Sequence, residues 1–300
     1  MSKHISSRKM LLLSATLLTI TFLAELIGGL IFRSLSLVSD SFHVISDLTA
    51  IMVVFMSLTI AQRKQPTQKM AFGYHRLEVL SSIFNGLLLG VIAAFILVES
   101  WHRFKHPLSV ETTGALIIAL LGLMVNVIIA TLFHKTTPAS KNDVNIQSAY
   151  LHILGDILAS ISVVVGIVAI KLFNQPIIDP IVAAFVAILI LVGAGRVLYK
   201  SSKILLHKSP QDVSRIKKRI LKIEGVDDLQ DLRLWQVCSH LTVGTAHVIV
   251  SVEKVEETEA IKEDIRSIIK KEFNIRDITL ECETPAMASN HRHIFEHEHD

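Results

Sequence analysis

Six stretches of about twenty or more largely apolar residues fill the first two thirds of this chain, at 10–32, 37–61, 78–100, 111–134, 146–170 and 177–199. A hydrocarbon layer of about 30 Å, crossed at about 1.5 Å per helical residue, needs about twenty residues, so each run is long enough to span a bilayer. Such spans must be helical, because hydrocarbon offers no partner to an unpaired backbone N–H or C=O. The apolar share of 51% across 300 residues and the mean hydropathy of +0.51 fit a membrane protein better than a soluble domain of this size. The first run carries Glu25, is too long for a cleavable signal segment and lacks a small-residue cleavage site, so it counts as a span.

Basic residues set the orientation. Arg63, Lys64, Lys69 and Arg76 crowd one connection, and Lys200, Lys203 and Lys208 follow the sixth span. The opposite side holds only Arg33, Arg103, Lys105 and Lys171. The richer side is expected to be cytoplasmic, with both termini inside. The formal net charge of +3 reflects this asymmetry, and no basic stripe with interleaved aromatics points to a nucleic acid. Cys238 and Cys282 form no CxxC pair, and no disulfide is expected on the cytoplasmic side.

The composition changes near Lys208–Ser209–Pro210, dividing a six-span membrane domain at 1–208 from a small domain at 209–284 and a His-rich tail at 285–300 that is expected to be flexible. Val213, Ile216, Ile220, Leu221 and Ile223 recur at helical period, with Gly225 as the expected C-cap. Residues 229–238 read as a strand, and Ala246, Val248 and Val250 alternate with His247 and Ile249 as a second. Ile261, Ile265, Ile268, Ile269 and Phe273 mark another helix, and Ile278 to Glu283 a last strand. The expected fold is six transmembrane helices followed by a cytoplasmic α+β domain of order αββαβ, ferredoxin-like in its layering.

Within the apolar second run lies SDSFHVISD, Ser39 to Asp47, and the fifth holds AYLHILGDILAS. His43 and Asp47, like His152 and Asp156, are four apart and share a helix face; Asp40 lies one turn before His43 on the same face. The two spans run in opposite directions. Packed together, they bring His43 level with Asp156 and Asp47 level with His152. Two carboxylates in low dielectric repel, and a divalent cation between them removes the conflict. Two nitrogens and two oxygens match tetrahedral zinc, whereas magnesium or calcium favours more numerous, all-oxygen donors. Cadmium, cobalt, iron or manganese remain alternatives for the same four groups.

These strings resemble the cation diffusion facilitator family, in its zinc-transporter-like branch. The resemblance runs from residue 10 to about 283 and rests on SLSLVSDSFHVISD, on FGYHRLEVL at Phe72 to Leu80, on NIQSAYLHILGD, on DPIVA and on the cytoplasmic segments LRLW and TAHVIV. It implies a homodimeric exporter that exchanges a metal ion for protons. Carried across, its transport site falls on His43, Asp47, His152 and Asp156, and histidine at the first of these implies zinc preference. Zinc is then the transported substrate, with a second role as regulatory ligand left open. A bacterial plasma membrane is the expected location. A non-transporting membrane metal sensor is the reading from another class. An intramembrane zinc enzyme is disfavoured, because HExxH spacing is absent and no enzyme activity is expected.

Other polar residues carry two readings each. Asp40 is either a gate or second-shell group or a partner of Ser36 or Ser39. Glu25 is either a proton relay or an interhelical hydrogen-bonding group. Asp179, before Pro180, reads as an N-cap. The resemblance places a basic residue at Arg76, which Asp212 is positioned in sequence to pair; His75 is an interfacial ligand or a solvated loop histidine. The family's HDLHxW is QDLRLW here, so Gln230 and Arg233 weaken one expected cytoplasmic metal cluster. His247 with Glu281 and Glu283 makes a reduced cytoplasmic site or an ordinary polar cluster. Cys238 and Cys282 are expected to face the core as small hydrophobes.

Overall fold

The computed structural model describes residues 2–63, 70–136, 144–251, 255–275 and 277–285, with the side chains of 2–11, 50–51, 53–63, 133–136, 144–153 and 255–256 excepted. The tail at 286–300 therefore lies outside the described residues. Six long helices come first: α1 (Ser2–Ile31), α2 (Leu35–Arg63), α3 (Arg76–Lys105), α4 (Thr112–Thr136), α5 (Val144–Phe173) and α6 (Ile178–Leu205). Among the described residues, five of them are long and apolar enough to cross a membrane on that length; the expected second span coincides with α2, much of which lies among the excepted side chains. Contacts group residues 1–63 and 80–199 into one compact unit, and 64–79 with 200–300 into another.

In the first unit α1 packs on α2 and α4, and α5 packs on α2 and α4. Small side chains sit where the helices meet. Ala93, Ala115, Ala159, Ala183 and Ala187 are fully buried. In a bilayer the lipid is as apolar as leucine, so helices gain by close backbone approach and dispersion contact more than by apolar burial. Gly122 of α4 illustrates the demand: a Cβ there would fall 1.9 Å from Glu25 Oε1. Large apolar groups point the other way. Phe84, Val91, Phe95 and Val98 of α3 are all exposed, as lipid-facing side chains are.

The turn between α1 and α2 shows how a polar group holds this unit. Arg33 takes φ 58°, and Ser34 N donates back to Gly29 O at 2.9 Å, ending α1. The chain then turns into α2, whose first amides need acceptors. Asp179, in the first turn of α6, supplies them. Its carboxylate accepts from Leu35 N at 2.6 Å, Ser36 N at 3.1 Å, Ser34 Oγ at 2.9 Å and Ser36 Oγ at 2.6 Å. Asp179 is thus no N-cap of its own helix, which already begins at Ile178. It caps α2 from across the unit, because that buried helix start has orphan donors and the aspartate is 2% exposed.

In the second unit the expected order αββαβ appears as α7 (Val213–Ile220), β1 (Val226–Cys238), β2 (Leu241–Val250), α8 (Val255–Phe273) and β3 (Asp277–Glu283). β2 lies in the middle, antiparallel to β1 and parallel to β3. Ile216 and Ile220 of α7 and Ile265 and Ile269 of α8 are fully buried in one cluster with Leu229, Val248 and Leu280 of the sheet. Asp212 caps α7, its side chain accepting from Ser214 N at 2.9 Å. It does not pair with Arg76, whose guanidinium donates to His207 Nε2 at 2.9 Å. α7 also ends earlier than its apolar period suggests. Ile223 and Gly225 fall in turns beyond it, and Gly225, at φ 85°, leads into β1 rather than capping the helix. A salt bridge of 2.8 Å from Lys217 to Asp228 joins α7 to β1 and holds the Asp228 carboxyl below its ordinary range.

Removing the α2 cap is a direct test of this architecture. Asp179→Ala leaves several buried donors unanswered and should destabilise the membrane unit by about 2–4 kcal/mol. Asp179→Asn, which keeps acceptor capacity, should lose less. Thermal unfolding of the detergent-solubilised protein measures both, and equal midpoints for all three proteins would refute the cap.

Candidate metal centres

α2 and α5 face each other as the HxxxD spacing requires. His43 Nε2 lies 3.1 Å from Asp156 Oδ1, a hydrogen bond across two helices 113 residues apart in sequence. Asp47 joins them: a ligand atom from each of His43, Asp47 and Asp156 lies within 4.8 Å of the other two. All three are half-buried, and the His43 and Asp156 side chains are 14% and 15% exposed. The level of His43 with Asp156 follows the expected antiparallel pairing. His152 belongs to α5 one turn before Asp156, but its side chain lies outside the described residues, and so does the expected pairing of Asp47 with it.

Asp40 sits one turn from His43 and is fully buried. Its partner is neither expected serine. Ser36 is taken by Asp179, and Ser39 Oγ donates to Ala183 O at 3.3 Å. Instead Ser160 Oγ donates to Asp40 Oδ2 at 3.1 Å, and Asn126 Nδ2 donates to Ser160 Oγ at 2.9 Å. A polar chain therefore runs from α4 through α5 to α2. Ser160 is four residues after Asp156, on the same helix face, and Asn126 is a single amide in the apolar middle of α4. Both signals were present in the sequence without being assigned. Glu25 is fully buried, and neither carboxylate oxygen has a hydrogen-bond partner among the described residues, so the interhelical hydrogen bond expected of it is not made.

The second unit holds two further clusters. On the sheet, His247 of β2 is the register partner of Glu281 of β3. His247 Nδ1 lies 2.7 Å from Glu283 Oε1, and Nε2 lies 4.0 Å from Glu281 Oε2. Glu283 is 5% exposed and Glu281 is 62% exposed, so the histidine bridges one buried and one solvated acid. Gln230 faces His247 in the register but bonds Asp228 Oδ2 at 3.3 Å, and Arg233 bonds Asp231 Oδ2 at 3.0 Å.

The other cluster is formed by His75, Cys238 and His240, and sequence reasoning did not join these residues. Cys238 ends β1 and His240 sits in the two-residue turn to β2, while His75 immediately precedes α3. Cys238 is fully buried yet has imidazoles beside it, so it is no simple core hydrophobe. Burial is the main influence pushing its thiol above the ordinary value. Cys282 fits its expected role better: it packs against the sheet core, and burial raises its thiol as well.

Comparison with known proteins gives this geometry a context. The family description "Cation efflux transmembrane domain" matches residues 11–206, and "Cation efflux protein, cytoplasmic domain" matches 209–285. A Bacillus subtilis protein named as a cadmium, cobalt and zinc/H(+)-K(+) antiporter is 34% identical over 284 residues, covering 94% of this chain and 90% of the relative. The zinc transporter ZitB of Pectobacterium atrosepticum is 32% identical, covering 96% and 89%. Among solved structures, the metal-bound C-terminal domain of the CzcD transporter from Cupriavidus metallidurans is 27% identical, covering 24% of this chain and 99% of that domain, with a TM-score of 0.22. Two successive family matches spanning nearly the whole chain, over a six-helix unit and an αββαβ unit, establish that this multi-pass membrane protein belongs to the cation efflux family, the cation diffusion facilitators.

Proposed function

We propose that this protein exports zinc from the cytoplasm in exchange for protons, working as a homodimer in the plasma membrane with both termini cytoplasmic. The observation that carries the reading is the meeting of His43, Asp47 and Asp156 between α2 and α5, within 4.8 Å of one another. With His152 as fourth donor, the set supplies two imidazoles and two carboxylates, the donor types and number that suit tetrahedral zinc. The names of the relatives support zinc as cargo, and one of them adds cadmium and cobalt. The cytoplasmic family match and the resemblance read in the sequence support the dimer. The basic connections at 63–76 and 200–208 support the orientation.

Exchange follows from shared atoms. Zinc needs neutral imidazoles and ionised carboxylates, so its binding displaces protons. Protons arriving from the outer side compete for the same nitrogens and oxygens. Affinity for zinc therefore rises with pH and falls as the site protonates. The hydrogen bond between His43 and Asp156 is the contact that zinc must replace, and the proton it shares is released on binding. Alternating access moves such a site between the two sides by rocking helices around it. Asp40, tied through Ser160 to α5, acts as a gating group that keeps α2 and α5 in step. His247, Glu281 and Glu283 form a cytoplasmic regulatory zinc site, in which Glu283 orients the imidazole.

Two expectations test this function. In proteoliposomes, zinc flux should accelerate with an inward proton gradient and fall to the empty-vesicle level in Asp47→Ala and Asp156→Ala. Flux indifferent to the gradient would exclude antiport, and flux retained in both variants would exclude the site. For the regulatory site, the zinc stoichiometry of an Asp47→Ala background should drop by one per protomer when His247→Ala is added. Calorimetric titration measures it, and an unchanged stoichiometry refutes the site.

A further inference from the structure

We propose that His75, Cys238 and His240, completed by Glu78, form a thiolate-containing binding site for a divalent cation of the zinc class, separate from the transport and regulatory sites. The distances carry it. Cys238 Sγ lies 3.8 Å from His75 Nδ1 and 3.6 Å from each of the two ring nitrogens of His240. His240 Nδ1 lies 3.5 Å from Glu78 Oε2. For a zinc ion with bonds of about 2.3 Å to sulfur and about 2.0–2.1 Å to nitrogen or oxygen, the edges of the coordination tetrahedron are about 3.5 Å for S···N and about 3.4 Å for N···O. The Cys238–His75, Cys238–His240 and His240–Glu78 separations are close to those edges, and His75, Cys238 and His240 each offer a ligand atom within 4.8 Å of the other two. A thiol has one proton and donates it to one acceptor, yet two imidazoles stand equally near this sulfur. A shared cation answers all of them together.

The site is also built. Cys238 is 0% exposed and pairs in register with Leu241, so the sulfur is fixed at the last rung of the β1–β2 hairpin. His240 follows in the tight turn. The rings of His75 and His240 meet edge to face at 5.6 Å and 74°. Ser239 Oγ donates to Glu78 Oε1, which orients the carboxylate and leaves Oε2 towards His240. His75 N-terminally adjoins α3, and Glu78 lies in its first turn. Occupancy therefore staples the hairpin turn to the start of α3. On binding, the cation replaces the thiol proton, which leaves to solvent. The thiolate favours softer ions, zinc, cadmium and cobalt over magnesium or manganese, and makes this a holding site rather than a cargo site.

A cobalt titration of the full-length protein in detergent tests this with a signature the other sites lack. Thiolate ligation gives a sulfur-to-cobalt charge-transfer band in the near ultraviolet, and neither the transport site nor the His247 cluster contains sulfur. The wild type should develop the band with one equivalent per protomer and lose it to added zinc. Cys282→Ser and Asp47→Ala should keep it, so failure of the transport reading leaves this result unaffected. Cys238→Ser should abolish it. His240→Gln, at a largely exposed position that folding tolerates, should weaken the apparent affinity by about tenfold or more. Gel filtration checks that each variant remains folded. No band in the wild type at saturating cobalt, a band that survives Cys238→Ser, or unchanged affinity in His240→Gln would overturn the site.

Discussion

A carboxylate placed inside a bilayer must find a donor or a cation, since hydrocarbon supplies neither. The membrane unit is arranged around that demand. Asp179 finds two amides and two hydroxyls at the start of α2. Asp40 finds Ser160, which is itself held by Asn126. Asp156 finds His43. Each of these three answers comes from a different helix, so Asp179, Asp40 and Asp156 also tie helices together, whereas Glu25 of α1 is buried with no such partner among the described residues. The apolar contacts around them, rich in alanine, allow the close approach that such short polar bonds require.

The proposed transport site is a tie that is open to exchange. Asp179 and Asp40 are almost wholly buried, whereas His43 and Asp156 keep some exposure and stand beside a further carboxylate, Asp47. A hydrogen bond between an imidazole and a carboxylate can be traded for two metal bonds and the proton released. A bond network that caps a helix cannot be traded without undoing the helix start. Structural and working polar groups thus differ in what remains when the proton is displaced.

The cytoplasmic unit uses the sheet for a similar purpose. Register sets His247 opposite Glu281, and the period of two brings Glu283 to the same side. At the other end of β1 and β2, the tight turn puts Cys238 and His240 side by side. One sheet therefore carries a histidine–carboxylate cluster along its β2–β3 pair and a histidine–thiol cluster at its hairpin end. The two differ in donor softness, carboxylate oxygen in one and thiol sulfur in the other.

Six apolar runs, the αββαβ order and the two HxxxD pairs were legible in the residues alone, because hydrophobic length and periodicity are local properties of a chain. The same holds for the shared faces of His43 with Asp47 and of Glu281 with Glu283. Partners drawn from distant elements were not legible. Asp179 looked like a cap for its own helix, Arg76 like a partner of Asp212, and Cys238 like a core hydrophobe. Only tertiary packing sends Asp179 to α2, Arg76 to His207, and His75 to Cys238. The physical reason is that spacing along a helix or strand fixes which side chains share a face, while the identity of the group opposite that face depends on how separate elements pack.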